Sequence, residues 1–365
     1  MADGGANMIY LNALNKISGV GPQKIKILMS HFGSGEKIWN SSPSELISSG
    51  LSEKLSQIIV TERIKINPQE EWAKLEKENI QAISFFDKNY PASLKEIPSA
   101  PQILYVKGDF DFNSSPMIAI VGSRKYSSYG QQVATSLAQD LAKAGLTVVS
   151  GLAIGIDAFA HRGALDGGGK TLAVLGSSLE DRNIGPRVNY NLARHIIDNG
   201  ALISDYPLGV QATPQTFPAR NRLMAGLTLG TVVIEAAPAS GTLITASMAL
   251  DFNREVFAVP GSIFSPSSQG TNQLIKSGAK IVSGVTDILE ELNLAKFQEK
   301  KTAREFIPAS EEEKIIIKML SHEPTHIDRI IKLSKMNTSS ASSTLIMLEM
   351  QGIVKDIGGQ NYISL

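Results

Sequence analysis

Phe217-Pro218-Ala219-Arg220-Asn221-Arg222 places two arginines, an amide and an aromatic ring within six residues. Planar guanidinium forks match phosphate oxygens, and an aromatic face stacks a base. A single-strand nucleic-acid site needs both contacts. The same composition also describes a helix start whose arginines are merely solvated. Other phosphate-suited turns in the same region shift the balance. They are Gly122-Ser123-Arg124, Ser150-Gly151-Leu152-Ala153-Ile154-Gly155-Ile156-Asp157, Gly176-Ser177-Ser178, Ser240-Gly241-Thr242 and Pro260-Gly261-Ser262. Glycine lets backbone approach an anion closely, and a helix start offers free N–H groups and a partial positive charge.

The elements that must position these turns alternate. Continuous apolar runs at Met117–Val121, Thr147–Val149, Thr171–Leu175, Ala201–Ser204, Thr231–Ile234 and Glu255–Val259 read as buried strands. Helical patterns at Val133–Ala144, Asp157–Ala164, Asn189–Asn199, Asn221–Leu227 and Thr242–Asp251 separate them. This is an α/β chain with an extended Rossmann-like, doubly wound, mostly parallel sheet over residues 68–293. In such sheets ligands sit outside the carboxyl ends of the strands, and the turns quoted above all fall there. The rim lacks the GxxxxGK[ST] phosphate loop and a GxGxxG after the first strand, which disfavours a mononucleotide kinase or a dinucleotide dehydrogenase.

Residues 1–67 read as a small domain of short helices, sterile-alpha-motif-like or helix-hairpin-helix. Its Gly19-Val20-Gly21 turn has two readings, a phosphate cradle or a tight interhelical turn. Residues 294–312 are charged and poor in apolar side chains, as in a linker. Residues 313–365 give three helical patterns and a hairpin with a Gly358-Gly359 turn, which together make a winged helix. Its third helix, Thr338–Met350, has no lysine or arginine, so protein contact competes with duplex readout as its role.

Lysine plus arginine and aspartate plus glutamate balance at 35 each. The total argues mildly against a nucleic-acid binder, but a field depends on where charges sit. From Arg182 to Arg222 there are five arginines and no lysine, against Asp198 and Asp205. The absence of cysteine excludes disulfides, cysteine–zinc sites and thiol nucleophiles. The five histidines are scattered and form no HExxH pattern, so neither metal nor cofactor is expected. No signal pattern or membrane-length apolar run is present, and the expected location is the cytoplasm. Asp157, Asp205 and Glu235 are the rim carboxylates. Read as a catalytic set they lack an adjacent acid–base partner; read structurally they are a helix-start anion, a turn former and an arginine partner. Asp157 and His161 are spaced to pair on one helix face.

Taken together, Ile120-Val121-Gly122-Ser123-Arg124 with Tyr129-Gly130, Ser150-Gly151-Leu152-Ala153-x-Gly155-Ile156-Asp157, and Phe217-Pro218-x-Arg220-Asn221-Arg222 resemble the DNA-processing protein A family (DprA, also called Smf). Ser240-Gly241-Thr242-Leu243-Ile244-Thr245, Val259-Pro260-Gly261 and Gly270-Thr271-Asn272-x-Leu274-Ile275 extend the resemblance over about 85–290. It departs at Gly176-Ser177-Ser178, where a second glycine is usual, at Ile184-Gly185-Pro186 and at Asp205. The resemblance implies a non-enzymatic homodimer that binds single-stranded DNA, protects it and loads RecA recombinase onto it in natural transformation. The residues expected to do this are Gly122, Ser123, Arg124 and Arg220 on phosphates, Phe217 on a base, and Asn221 orienting the turn. Arg182 and Arg187 are expected to widen the positive track. Gly151, Gly155, Ser240, Gly241 and Thr242 are expected as phosphate-binding turns. Arg222 has two readings, groove wall or structural partner of Glu235. The rival class is a nucleotide-cleaving enzyme resembling the lysine-decarboxylase-like type, whose paired-glycine turn is replaced here by Pro238-Ala239-Ser240-Gly241-Thr242.

Overall fold

A computed structural model describes residues 4–238, 240–294, 310–320, 325–350 and 353–364. They divide into two compact units, Met1–Ile288 and Leu289–Leu365. The linker expected over 294–312 falls almost wholly outside the described residues.

Six helices open the first unit: α1 (Gly4–Asn15), α2 (Pro22–Phe32), α3 (Gly35–Asn40), α4 (Pro43–Ser48), α5 (Glu53–Arg63) and α6 (Pro68–Lys77). Side chains of Ser34, Ser42, Ser52 and Asn67 accept the first free N–H groups of α3, α4, α5 and α6. Proline opens α2, α4 and α6, where no N–H is missed. Gly19 sits at φ +87, and a Cβ there would crowd Leu55. The Gly-x-Gly turn therefore has a steric reason within the bundle.

The sheet region follows as β1 (Gln81–Ser84), α7 (Ala92–Lys95), β2 (Ile103–Gly108), β3 (Met117–Val121), α8 (Ser128–Lys143), β4 (Thr147–Ser150), α9 (Ile156–Asp166), β5 (Thr171–Val174), α10 (Tyr190–Asp198), β6 (Gly200–Ser204), α11 (Thr216–Leu227), β7 (Gly230–Val233), α12 (Gly241–Asp251), β8 (Glu255–Ala258), α13 (Gln269–Lys276), β9 (Lys280–Ile281) and α14 (Val285–Glu291). The nine strands lie in the order β1-β2-β6-β5-β4-β3-β7-β8-β9. The pairs from β6 to β9 are parallel, whereas β1–β2 and β2–β6 are antiparallel. Strand order runs one way from β3 to β6 and the other way from β7 to β9. The crevice of this doubly wound sheet therefore opens between the ends of β3 and β7.

Alternate residues of each strand serve opposite faces. Tyr105, Ala173 and Leu202 join the core under α1, α9 and α10. Leu104, Val106, Leu172, Val174 and Ile203 join the core that also holds Leu94 of α7, Leu223 and Leu227 of α11, and Ala246 of α12. The N-terminal helices share the first of these cores. Polar contacts also tie α1 to the sheet. The buried Tyr105 hydroxyl donates to Asn12 Oδ1 at 2.8 Å and accepts from Asn15 Nδ2, while Lys16 reaches Glu71 and the carbonyl of Leu208.

His161 is fully buried on α9. Its expected pairing with Asp157 does not form. The ring Nδ1 bonds Thr171 Oγ1 at 2.7 Å, and Asp157 accepts backbone N–H groups instead. Burial, aided by the Arg220 charge, holds the imidazole pKa down at about 3.

The second unit comprises α15 (Glu311–Met319), β10 (Thr325–His326), α16 (Ile327–Ser334), α17 (Thr338–Met350), β11 (Val354–Asp356) and β12 (Asn361–Ser364). Its antiparallel sheet runs β10-β12-β11 around a core that includes Ile316, Ile330, Leu345, Leu348 and Val354. This is a winged helix. Its β11–β12 turn passes through left-handed backbone at Gly358, Gly359 and Gln360.

Two stability outcomes follow from these buried polar groups. Tyr105→Phe strands the side-chain amide oxygen of Asn12, and urea unfolding should show a loss of about 1–3 kcal/mol. His161 is neutral when folded but takes a proton in the unfolded chain below pH ~6.5. Its contribution is complete above that pH and is lost as pH falls toward about 3. The pH dependence of unfolding free energy between pH 5 and 6.5 should flatten in His161→Gln, by up to about 1.4 kcal/mol per pH unit.

Candidate nucleic-acid interface

At the reversal of strand order lies a cleft of about 690 Å³. Gly122 to Lys125 after β3 form one wall. Phe217, Arg220 and Asn221 of α11, the start of α12, and Pro266–Ser267 after β8 complete it. It brings together segments up to 146 residues apart, from Val121 to Ser267.

Local sterics fix the Gly122-Ser123-Arg124 wall. A Cβ on Gly122 would strike Ile156 at 2.6 Å, and one on Gly155, which sits at φ +91, would strike the carbonyl of Ser123. The start of α9 thus seats directly under this loop, and Ile156 N–H donates to Ser123 O at 3.3 Å. Ser123 Oγ closes a small turn with both the N–H and the carbonyl of Lys125. Arg124 emerges exposed. Among the described residues it has no hydrogen bond or ion pair, and its guanidinium carbon lies 5.1 Å from the centroid of the Phe217 ring. Phe217 lies over Gly176, where a Cβ would come within 3.2 Å of the ring.

The structure changes the roles expected of the other two arginines. Arg220 was expected on phosphate, but it is buried, with 4% of its surface exposed. Its guanidinium donates to the carbonyls of Gly151 and Val174, and its Nε donates to Asn221 Oδ1 at 3.1 Å. Burial lowers its pKa to about 10, so it remains a cation at neutral pH. Arg222 is a structural partner, though of Asp205 rather than Glu235, and it also donates to the carbonyl of Ser99. Glu235 instead accepts from the N–H and hydroxyl of Ser127 and from the hydroxyl of Ser267.

Nor is the Gly151–Asp157 turn an open phosphate cradle. Gly151 and Ala153 donate their N–H groups to Asp157, and the Arg220 guanidinium fills the space a Cβ on Gly151 would take. Leu152 between them is held in left-handed backbone at φ 59. Asn189 Nδ2 secures it through the carbonyls of Leu152 and Ala153. Burial pushes the Asp157 carboxyl pKa up, opposed by Arg220 and by these amides. Burial likewise raises that of Asp205, against the pull of Arg222.

Ser240, Gly241 and Thr242 do line the cleft at the start of α12, with Ser240 Oγ taking the N–H of Thr242. Arg182 and Arg187 do not line it. Arg182 pairs with Glu180 at 2.6 Å, and Arg187 stacks on Tyr190 at 4.3 Å. Sequence reasoning missed Lys125, Thr245 and Ser267 in the lining. Lys125 adjoins Arg124 and was readable as a second cation. Ser267 follows β8 by nine residues, and only the closed fold brings it to this wall.

The family model described as DNA recombination-mediator protein A matches residues 81–293, and the DprA winged helix domain model matches 300–360. Protein Smf of Synechocystis is 34% identical over 97% of this chain and 98% of its own. DNA processing protein DprA of Streptococcus pneumoniae is 42% identical over 60% of this chain and 77% of its own. The X-ray structure of the Streptococcus pneumoniae protein superposes with a TM-score of 0.67 at 37% identity, covering 78% of this chain and 97% of that one. A structure of DNA processing protein A from Helicobacter pylori, described for its single-stranded DNA binding mode, gives 0.53 at 29% identity, covering 59% of this chain and 95% of that one. With the model spanning more than half of its residues and a relative matched along nearly its whole length, the chain belongs to the DNA recombination-mediator protein A (DprA/Smf) family.

Proposed function

We propose that the cleft binds single-stranded DNA. We further propose that the protein acts as a cytoplasmic homodimer, protecting the strand and passing it to RecA recombinase in recombination and natural transformation. One observation carries the strand-binding reading. Arg124 is an exposed cation without a carboxylate partner among the described residues, poised over the Phe217 ring at the switch point of the sheet. A free guanidinium offers the phosphate contact and the aromatic ring offers a base platform. The Helicobacter pylori relative, described for binding single strands, supports the ligand class. The family's description as a recombination mediator supports a recombinase as the receiving partner. In the winged helix, α17 has no lysine or arginine, which favours protein contact over groove reading for that helix.

The nucleotide-cleaving alternative is less well supported. All three rim carboxylates are already engaged: Asp157 by backbone N–H groups, Asp205 by Arg222, and Glu235 by two serines. None stands as a free general base in the cleft.

Titration of labelled oligothymidylate by anisotropy should show Arg124→Ala and Phe217→Ala each weakening binding. For Phe217 the loss should be about 1–3 kcal/mol, the range for one base–aromatic stack. Only Arg124→Ala should reduce the salt slope, by about 0.7 per lost phosphate contact. If both variants fold and bind as the parent does, the cleft assignment is wrong. Delivery is read separately. RecA strand exchange on coated single strands should be stimulated by the parent protein and much less by Arg124→Ala. Equal stimulation by both would remove the cleft from the hand-off.

A further inference from the structure

We propose that the strand path leaves the cleft over a second stacking station, formed by Tyr126 and Phe159 and flanked by Lys125 and Arg162. This rests on reading the cleft as a single-strand site and extends its length.

Tyr126 lies two residues beyond Arg124 and is 42% exposed. Its ring meets Phe159 edge to face, with centroids 4.7 Å apart and planes at 79°. Such a pair leaves ring faces that neither partner covers, where a base can stack. Arg162 sits over the other member of the pair, with its guanidinium carbon 5.7 Å from the Phe159 centroid. A lone exposed tyrosine is ordinary and calls for no ligand. Here, however, the order of groups repeats that of the cleft, with a cation against an aromatic ring in both places.

What sets this path apart is its continuity with the cleft: Lys125 lines the cleft beside Arg124, and Tyr126 follows it directly in the chain. Arg182, Arg222 and Arg254 each pair with a carboxylate. Arg124, Lys125 and Arg162 do not, among the described residues. Unpaired cations alternating with aromatic faces are what a sequence-tolerant single-strand groove requires. The two stations also share one frame. Phe159 lies in the first turn of α9, whose Ile156 N–H is bonded to Ser123 O. Its own N–H donates to the carbonyl of Gly155, which seats beneath the Arg124 loop.

The test is an oligothymidylate length series with the full chain, comparing the parent with Tyr126→Ala, Tyr126→Phe, Arg162→Ala and Arg124→Ala. The parent should tighten in two steps as the strand first fills the cleft and then reaches the second station. Tyr126→Ala should keep the first step and lose on the order of 5- to 150-fold at the second, the range for one base–aromatic stack. Tyr126→Phe should restore that gain, and Arg162→Ala should lower the salt slope only for the longer strands. Tyr126→Ala matching the parent at every length overturns the second station. So does an equal weakening at all lengths, because Tyr126 would then belong to the cleft. Failure of the cleft reading looks different: Arg124→Ala then binds the shortest strands as the parent does.

Discussion

Arg220 lies buried where the ends of β4 and β5 meet α11, and its guanidinium holds the carbonyls of Gly151 and Val174. Hydrogen bonds from a charged donor contribute about 1.5–3 kcal/mol each, and carbonyls left bare at this depth would cost a comparable amount. The cation also lies close enough to Asp157 to moderate the cost of burying that carboxylate, which in turn holds Gly151 and Ala153 by their N–H groups. Much of the cleft depends on this one side chain. It fixes α11 against the strand ends, which places Phe217 over Gly176. It also anchors the turn that carries Leu152 in left-handed backbone and leads into α9. The segment that first suggested phosphate binding therefore divides its labour: Phe217 faces the cleft while Arg220 and Arg222 hold the fold.

Electrostatics follow from the same frame. The rim carries three carboxylates, and each is committed to the protein: Asp157 to backbone, Asp205 to Arg222, and Glu235 to Ser127 and Ser267. In the proposed role, a polyanion at the cleft would meet Arg124 and Lys125, neither of which pairs with a carboxylate among the described residues. A chain with no net charge can thus still present unpaired cations at this rim, because the three rim carboxylates are engaged by the protein itself.

The central strands β3 to β7 were legible because they are buried on both faces and so read as unbroken apolar runs. The fit at Met117–Val121 is complete. Helix starts were harder to place. α8 begins at Ser128, five residues before the pattern at Val133 turns apolar, because behind the Ser127 cap Ser128, Tyr129, Gln131 and Gln132 are exposed and Gly130 brings no side chain to the core. α11 begins at Thr216, since Pro218 is tolerated in a first turn although Phe217-Pro218 reads as a break. In the site, residue types revealed which side chains suit phosphate and bases, but not which were already taken. That Arg222 faces Asp205 rather than Glu235, and that Arg220 faces two carbonyls, depends on how distant strand ends meet.

Under the proposed strand-binding role, the position of Arg124 over Phe217 would also set how tightly each nucleotide is held. In the free protein the cation already occupies the neighbourhood of the ring, at a contact worth about 0.5–1 kcal/mol when exposed. A nucleotide that stacks on the covered face must displace it. The gain per nucleotide is then a difference: a base on the ring and a phosphate on the arginine, less the arginine on the ring. When the nucleotide leaves, the two side chains satisfy each other again, so release does not leave a bare cation and an exposed aromatic face. Self-closing contacts of this kind keep each step of attachment shallow and reversible. In the proposed role, a strand held by them would be open to uptake by another protein one nucleotide at a time.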